Sequence, residues 1–409
     1  MKNKTLLQIN SVVNLGSTGR IAEEIGQTVI ANGWKSYIAY GRSANESKSE
    51  LIRIGNDWDK KMHGLKTRLF DLHGFGSDRA TKNLLISINL IKPDLIILHN
   101  LHGYYINVKI LFDFLSECNI PVFWILYDAW AFTGHCTYFD AVGCSKWLSG
   151  CHRCPQVHEY PSSFIIDNSK ENYTAKKQLF TSVNNLTLIT HSNWLRKLVN
   201  STFLNKKLTL TINNGVNIDI FRPKYSQNIS LKYNIIDKFL IIGVAAEWVK
   251  RKGFDDFISL RKRLNEPYSI ILVGLSQQQI KLLPKGIIGI RRTENIDELA
   301  ALYSASDVFV NPTYEDNFPT TNLEALACGT PVITYNTGGS PEAIDEETGI
   351  VVEKGDMDGL VRAIMEVKTN GKAHYTAKCR ERAVKHFNKD DKYMEYIKLY
   401  EEILSNKDR

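Results

Sequence analysis

No stretch of the 409-residue chain reaches the roughly 18 uninterrupted apolar residues of a membrane-crossing helix. The most apolar region, Leu84 to Leu101, is broken by Lys92, Pro93 and Asp94. No Lys/Arg run and no aromatic–basic motif appears, which argues against a nucleic-acid partner. Short-period repeats and low-complexity tracts are also lacking. With 11 Pro, 26 Gly, 43% hydrophobic and 23% charged residues, the composition excludes disorder, a collagen-like chain and a coiled coil. The opening MKNKTLLQINSVVN has no long apolar core and no small-residue cleavage site. The sequence therefore predicts no signal peptide and a soluble cytoplasmic protein.

Cysteine is scarce and unevenly placed. Of seven, Cys118, Cys328 and Cys379 stand alone in apolar or helical contexts and read as buried small hydrophobes. Cys136, Cys144, Cys151 and Cys154 crowd into nineteen positions. In a cytoplasmic chain such a cluster favours metal over disulfides. The cluster suits a tetrahedral structural zinc, with His135 or His152 able to replace one thiol, and equally suits four unligated thiols in an irregular loop.

The formal charge of +7 lies in the first half. Residues 1–215 hold 24 basic and 16 acidic side chains, and the remainder 27 and 28. Such a balance fits a solvated surface, a phosphorylated acceptor, or peripheral contact with an anionic membrane through lysines such as 60, 61 and 66, or 176, 177, 206 and 207.

β-rich apolar runs alternate with segments of helical period twice over, once before and once after a junction near residues 212–222. Such alternation predicts α/β architecture, with two doubly wound parallel sheets and ligands beyond the carboxyl ends of the strands. The expected domains are 1–215, with a Cys-rich insertion over 129–161, and 216–385. A terminal helix over 386–409 has an apolar stripe of Tyr393, Tyr396, Ile397, Tyr400 and Ile403 that could cover either domain.

The most informative stretch is 307–344. A strand ends at Asn311-Pro312, a loop holds Glu315 and Asp316, and Thr320 or Thr321 is placed to cap a helix carrying Glu324 in its first turn. The amides of that helix start would face a phosphate. Acids beside a phosphate suit hydroxyl acceptors around a nucleotide sugar, although the same spacing fits two capping or surface acids.

Asp316 and Glu324, then Ala325, Ala327, Gly329, Pro331, Val332 and Ile333, then Gly338, Gly339 and Glu342, resemble the signature of family 4 retaining glycosyltransferases of the GT-B fold. The resemblance extends to Asn214-Gly215-Val216 with Phe221 and Pro223, to the loop holding Arg251 and Lys252, and to Gly16, Gly19 and Arg20. The family commonly has His-Asp where this chain has Tyr127-Asp128, and His99, His102 and His135 lie nearby in the sequence. The Cys-rich insertion resembles surface-polysaccharide enzymes of the colanic-acid type.

The resemblance implies an acceptor domain followed by a nucleotide-sugar domain. A sugar would pass with retention from a nucleotide diphosphate to a saccharide or lipid-linked acceptor at the inner face of the cytoplasmic membrane, with no catalytic cofactor. Arg251 and Lys252 would neutralise the diphosphate, Glu324 would hold the ribose, Glu315 or Asp316 would orient the sugar, and Tyr127 would line the site. Amides near Thr320 and Thr321 would meet the phosphates, with Gly16, Gly19 and Asn214 adjoining. A sugar-nucleotide epimerase of similar build, or a catalytically silent nucleotide-sugar binder, are the rival readings.

Overall fold

The computed structural model describes residues 4–224, 227–235, 238–264 and 267–407. The chain forms two compact units, Met1–Ile212 with Tyr393–Arg409, and Asn213–Lys392. Residues 386–392 thus stay with the second unit, and the first ends three positions before the expected boundary.

In the first unit the strands are β1 (Thr5–Val13), β2 (Lys35–Ala44), β3 (Glu50–Arg53), β4 (Leu95–Leu98), β5 (Val122–Leu126), β6 (Leu186–Thr190) and β7 (Leu208–Thr211). Between them run α1 (Gly16–Ala31), α2 (Asp57–Phe70), α3 (Asp78–Ile91), α4 (Val108–Glu117), α5 (Ser169–Ser182) and α6 (Asn193–Asn200). The strands make one parallel sheet in the order β3-β2-β1-β4-β5-β6-β7. Strand side chains alternate between the two faces: Leu95 and Ile97 join one apolar cluster, Ile96 and Leu98 another. In the central strands β4 and β5 neither face is left to water, which is why these two read as continuous apolar runs.

The second unit holds α7 (Gln227–Lys232), β8 (Phe239–Val244), α8 (Phe254–Arg263), β9 (Tyr268–Val273), α9 (Gln277–Lys281), β10 (Ile287–Ile290), α10 (Ile296–Ala305) and β11 (Val308–Asn311). It continues with α11 (Thr320–Ala327), β12 (Val332–Tyr335), β13 (Gly349–Val352), α12 (Met357–Asn370) and α13 (Lys372–Phe387). Its parallel sheet runs β10-β9-β8-β11-β12-β13. The last helix, α14 (Lys389–Lys407), buries Tyr393, Tyr396, Ile397 and Tyr400 in the same cluster as Leu6, Leu95 and Phe123 of the first unit. No helix among the described residues is long and apolar enough to cross a membrane.

Each strand order reverses direction once, between β1 and β4 in the first sheet and between β8 and β11 in the second. At such a point the loops leaving the two neighbouring strands diverge and open a crevice beyond their carboxyl ends.

Candidate functional site

In the second unit, the chain after β8 makes a 3-10 turn over Lys250–Lys252 that ends at Gly253. Gly253 has φ +76°, and a Cβ there would sit 2.2 Å from the Pro312 carbonyl oxygen, so only glycine admits this approach. The approach joins the loops that follow β8 and β11. Tyr314 N–H donates to the Arg251 carbonyl (2.8 Å), and Arg251 Nη1 donates to the Glu315 carbonyl (2.6 Å). Lys252 Nζ forms an ion pair with Asp316. The loop after β12 closes the cradle, with Gly339 N–H on the Asp316 carbonyl at 3.1 Å. Gly338 has φ +58°, and its missing Cβ would lie 1.8 Å from the Asp316 carbonyl oxygen. The two neighbouring acids part company here. Glu315 is 2% exposed, whereas Asp316 keeps part of its carboxylate accessible beside Lys252.

α11 begins one residue earlier than its sequence suggests. Pro319 is its N-cap and makes no side-chain cap hydrogen bond. Thr320 and Thr321 are therefore the first two helical residues and not caps. Proline's fixed φ, here −69°, already supplies the half-in geometry of the cap position. Glu324 then stands fifth in the helix, one turn in, where its Oε2 accepts from the buried Tyr303 hydroxyl at 3.0 Å. Burial pushes the Tyr303 phenol well up, so it remains a donor. Asn214 Nδ2 donates to the Phe318 carbonyl (3.2 Å) and thereby holds the segment leading into α11.

A cavity of about 620 Å³ opens on the same edge of the sheet, lined by residues that follow β8, β9 and β10, among them Glu247, Trp248, Gly274, Ser276 and Arg291. No motif in the sequence marks these residues. Their position just past three strand ends is the signal that could have found them.

The remaining predicted residues belong to the first unit. Gly16 opens α1 with φ +63°, Gly19 is buried in its first turn, and the Arg20 guanidinium folds back on the Gly16 carbonyl (3.0 Å). Tyr127, after β5, shares a 2.9 Å hydrogen bond between its hydroxyl and His99 Nδ1 and packs against the apolar cluster covered by α14. His99 Nε2 in turn meets Gln8 Oε1 at 2.8 Å. Asp128 engages the other histidine: His102 Nε2 lies 2.7 Å from Asp128 Oδ2, and His102 Nδ1 lies 3.0 Å from the Tyr160 hydroxyl. His135 pairs with the buried Asp71 at 2.6 Å and stands apart from that chain of contacts.

Cys136, Cys144, Cys151 and Cys154 line one cavity of about 10 Å³, and all four are free thiols. Cys151 Sγ accepts the Gly134 N–H at 3.2 Å. Among the described residues, no group of three or more His, Cys, Asp or Glu side chains is placed to hold a metal ion. The four thiols share one cavity, and of these Cys151 Sγ is turned to the backbone. The charge expectation also needs correcting at Lys176. It is 1% exposed, donates to the Trp130 and Thr133 carbonyls at 2.9 and 3.1 Å, and lies over the Trp130 ring, so it presents no charge to a surface.

Residues 226–386, nearly all of the second unit, match the family described as glycosyl transferases group 1. The chain carries a group 1 glycosyltransferase domain. The architecture is GT-B, with two Rossmann-like parallel sheets. Over 392 residues the chain is 23% identical to the putative colanic acid biosynthesis glycosyl transferase WcaC of Escherichia coli K12, spanning 87% of this chain and 89% of that protein. Sucrose-phosphate synthase from Thermosynechococcus elongatus superposes with a TM-score of 0.74 at 17% identity, covering 99% of this chain and 100% of that one. Anabaena Alr3699/HepE in complex with UDP-glucose superposes with a TM-score of 0.66 at 15% identity, covering 98% and 99%. The cradle of Arg251, Lys252 and Asp316 and the helix bearing Glu324 lie within the segment of the glycosyltransferase domain that matches the family.

Proposed function

We propose that this glycosyltransferase transfers a sugar, with retention of configuration, from a nucleotide-diphosphate donor to a saccharide or lipid-linked acceptor in surface-polysaccharide assembly. The observation that carries the reading is the cradle at the β8/β11 crevice, where two cations and an accessible carboxylate are held by backbone contacts from three loops. A leaving diphosphate gains negative charge as the glycosidic bond breaks, and fixed cations stabilise it in place of a metal. In this reading Arg251 and Lys252 take that charge and the first-turn amides of α11 meet a phosphate. Glu324 accepts ribose hydroxyls. Asp316, the less buried of the two acids, orients the sugar once the donor phosphate draws Lys252 away. The names of a colanic acid transferase and of a UDP-glucose complex among the similar proteins support a nucleotide-sugar donor.

A thermal-shift screen against UDP-, GDP-, ADP- and dTDP-sugars, followed by product analysis with a lipid-linked acceptor, tests the reading. Transfer with retained anomeric configuration upholds it. Isomerised sugar without an acceptor identifies an epimerase, and donor binding without turnover a silent homologue.

A structural zinc at Cys136, Cys144, Cys151 and Cys154 is a separate proposal that rests on the donor set alone. About one zinc per chain after chelator-free purification supports it, and no zinc overturns it.

A further inference from the structure

α2 presents two opposite sides, one buried and one exposed and apolar. One side buries His63, Gly64 and Thr67. On the other, Trp58, Met62 and Leu65 are 68%, 38% and 46% exposed. At about 100° per residue these three fall within a sector of about 60°, flanked on either side by the exposed Lys61 and Lys66. A second apolar segment adjoins the last turn of the helix. Phe164 N–H donates to the Arg68 carbonyl at 2.8 Å, which brings Phe164, Ile165 and Ile166, 62%, 71% and 43% exposed, beside it. Single exposed hydrophobic side chains are ordinary, but six in one neighbourhood mark an interaction surface.

The surface is firmly seated. Asn56 Oδ1 caps α2 through the N–H groups of Trp58 and Asp59 (2.8 and 3.0 Å). On the buried side, His63 Nε2 accepts N–H bonds from Gly74 and Gly76 (3.1 and 3.3 Å).

We propose that α2 and the 163–166 segment form a membrane-docking surface that seats in the interface of a bilayer containing anionic lipid. Charge selects this occupant. Around the ridge Lys61, Lys66 and Arg68 are exposed, while the two acids of the first turn are already engaged, Asp57 by Arg53 and Lys60 at 2.7 Å and Asp59 by the Asn56 N–H at 2.9 Å, so the uncommitted charge beside the apolar ridge is positive. At the far end of the 163–166 segment, the Asp167 carboxylate is tied to the N–H groups of Cys154 and Ser169. A ridge of Trp, Met and Leu between lysines is the chemistry of a helix lying in the headgroup–acyl boundary, and the cations meet lipid phosphates there. The basic balance of the first half of the chain draws the protein toward such a surface, and this ridge is the part that enters it.

The experiment uses the full chain with phosphatidylcholine vesicles, with and without phosphatidylglycerol. Sedimentation with the anionic vesicles, and blue-shifted tryptophan emission that Trp58→Phe diminishes, are expected. Trp58→Glu, Leu65→Glu and Ile165→Glu are each expected to lower partitioning at least tenfold with unchanged circular dichroism. If a glutamate variant unfolds, Trp58→Ser and Leu65→Ser give the same reading. Absence of binding to either vesicle, or variants that bind like the parent chain, overturns the proposal. So does concentration-dependent self-association abolished by these variants, which would make a second copy the occupant. The assay reads lipid binding and no sugar transfer, so its failure leaves the transferase reading untouched.

Discussion

Lys252 and Asp316, sixty-four positions apart, form an ion pair within the candidate donor cradle. The pairing couples the residue expected to receive the diphosphate to the acid expected to orient the sugar. A donor phosphate that takes Lys252 therefore releases Asp316. Lys252→Ala is expected to lower kcat about 100- to 1,000-fold, the usual loss for one preorganised group facing transition-state charge, with a smaller change in donor affinity. Steady-state kinetics beside calorimetric donor binding checks this. A change in the Michaelis constant alone would make Lys252 a ground-state binder.

Glu324→Gln is expected to weaken donor binding at least about tenfold, since hydrogen bonds to a charged acceptor contribute about 1.5–3 kcal/mol. Tyr303→Phe removes the 3.0 Å bond to Glu324 without touching the donor. It should reduce stability by about 1 kcal/mol in urea unfolding and donor affinity by less than the Glu324 change. Equal affinity losses for the two variants would assign Tyr303 a direct contact.

Gly338→Ala is predicted to damage the cradle from a distance. The new methyl would meet the Asp316 carbonyl oxygen at 1.8 Å on a residue with φ +58°, so the loop must move and carry Asp316 with it. The left-handed conformation alone is unfavourable by about 1–2 kcal/mol for a side-chain-bearing residue. Lower unfolding stability together with weaker donor binding is the expected pair of results.

Acid should weaken the first unit through histidines buried as neutral rings. Burial lowers His63 and His191 to about 4 and His99 to about 3. The unfolded chain, with histidines near 6.5, binds more protons than the folded one between those values. Stability is therefore full above about pH 6.5 and falls as pH drops toward 4, by about 1.4 kcal/mol per pH unit for each such ring. His63→Asn is expected to reduce proton uptake on unfolding at pH 5 by about one. An unchanged uptake would mean that His63 titrates in the folded protein.

Tyr400→Phe is expected to be neutral or mildly stabilising. The Tyr400 hydroxyl is buried and has no hydrogen-bond partner among the described residues, and an unsatisfied buried hydroxyl is unfavourable by about 1–3 kcal/mol. Thermal unfolding at lower temperature in the variant would indicate a partner for that oxygen.

Composition and period by themselves determined that this chain builds two α/β layers. Short β-rich runs such as LLQINSV and FLIIGV, each followed by a segment of helical period, read as strands of a parallel sheet, and that pattern is local to each run. The acid–helix–glycine pattern of 316–342 was legible only as a resemblance to a family signature, since the spacing alone fits capping or surface acids equally well. That Gly338 lies against the Asp316 carbonyl, with no room for a Cβ, came from the tertiary structure. The sequence left open which of two adjacent acids faces solvent, because adjacent side chains diverge and only packing decides which one is buried. Glu315 went in. Nor could it place α2 within the polar stretch before residue 80, or reveal that Lys176 is interior while Trp58 is outside. Charge and hydropathy report the transfer preference of a side chain alone. The tertiary structure decides whether carbonyls such as those of Trp130 and Thr133 wait inside for an ammonium, or whether a helix already has its core-facing side filled by His63 and Thr67.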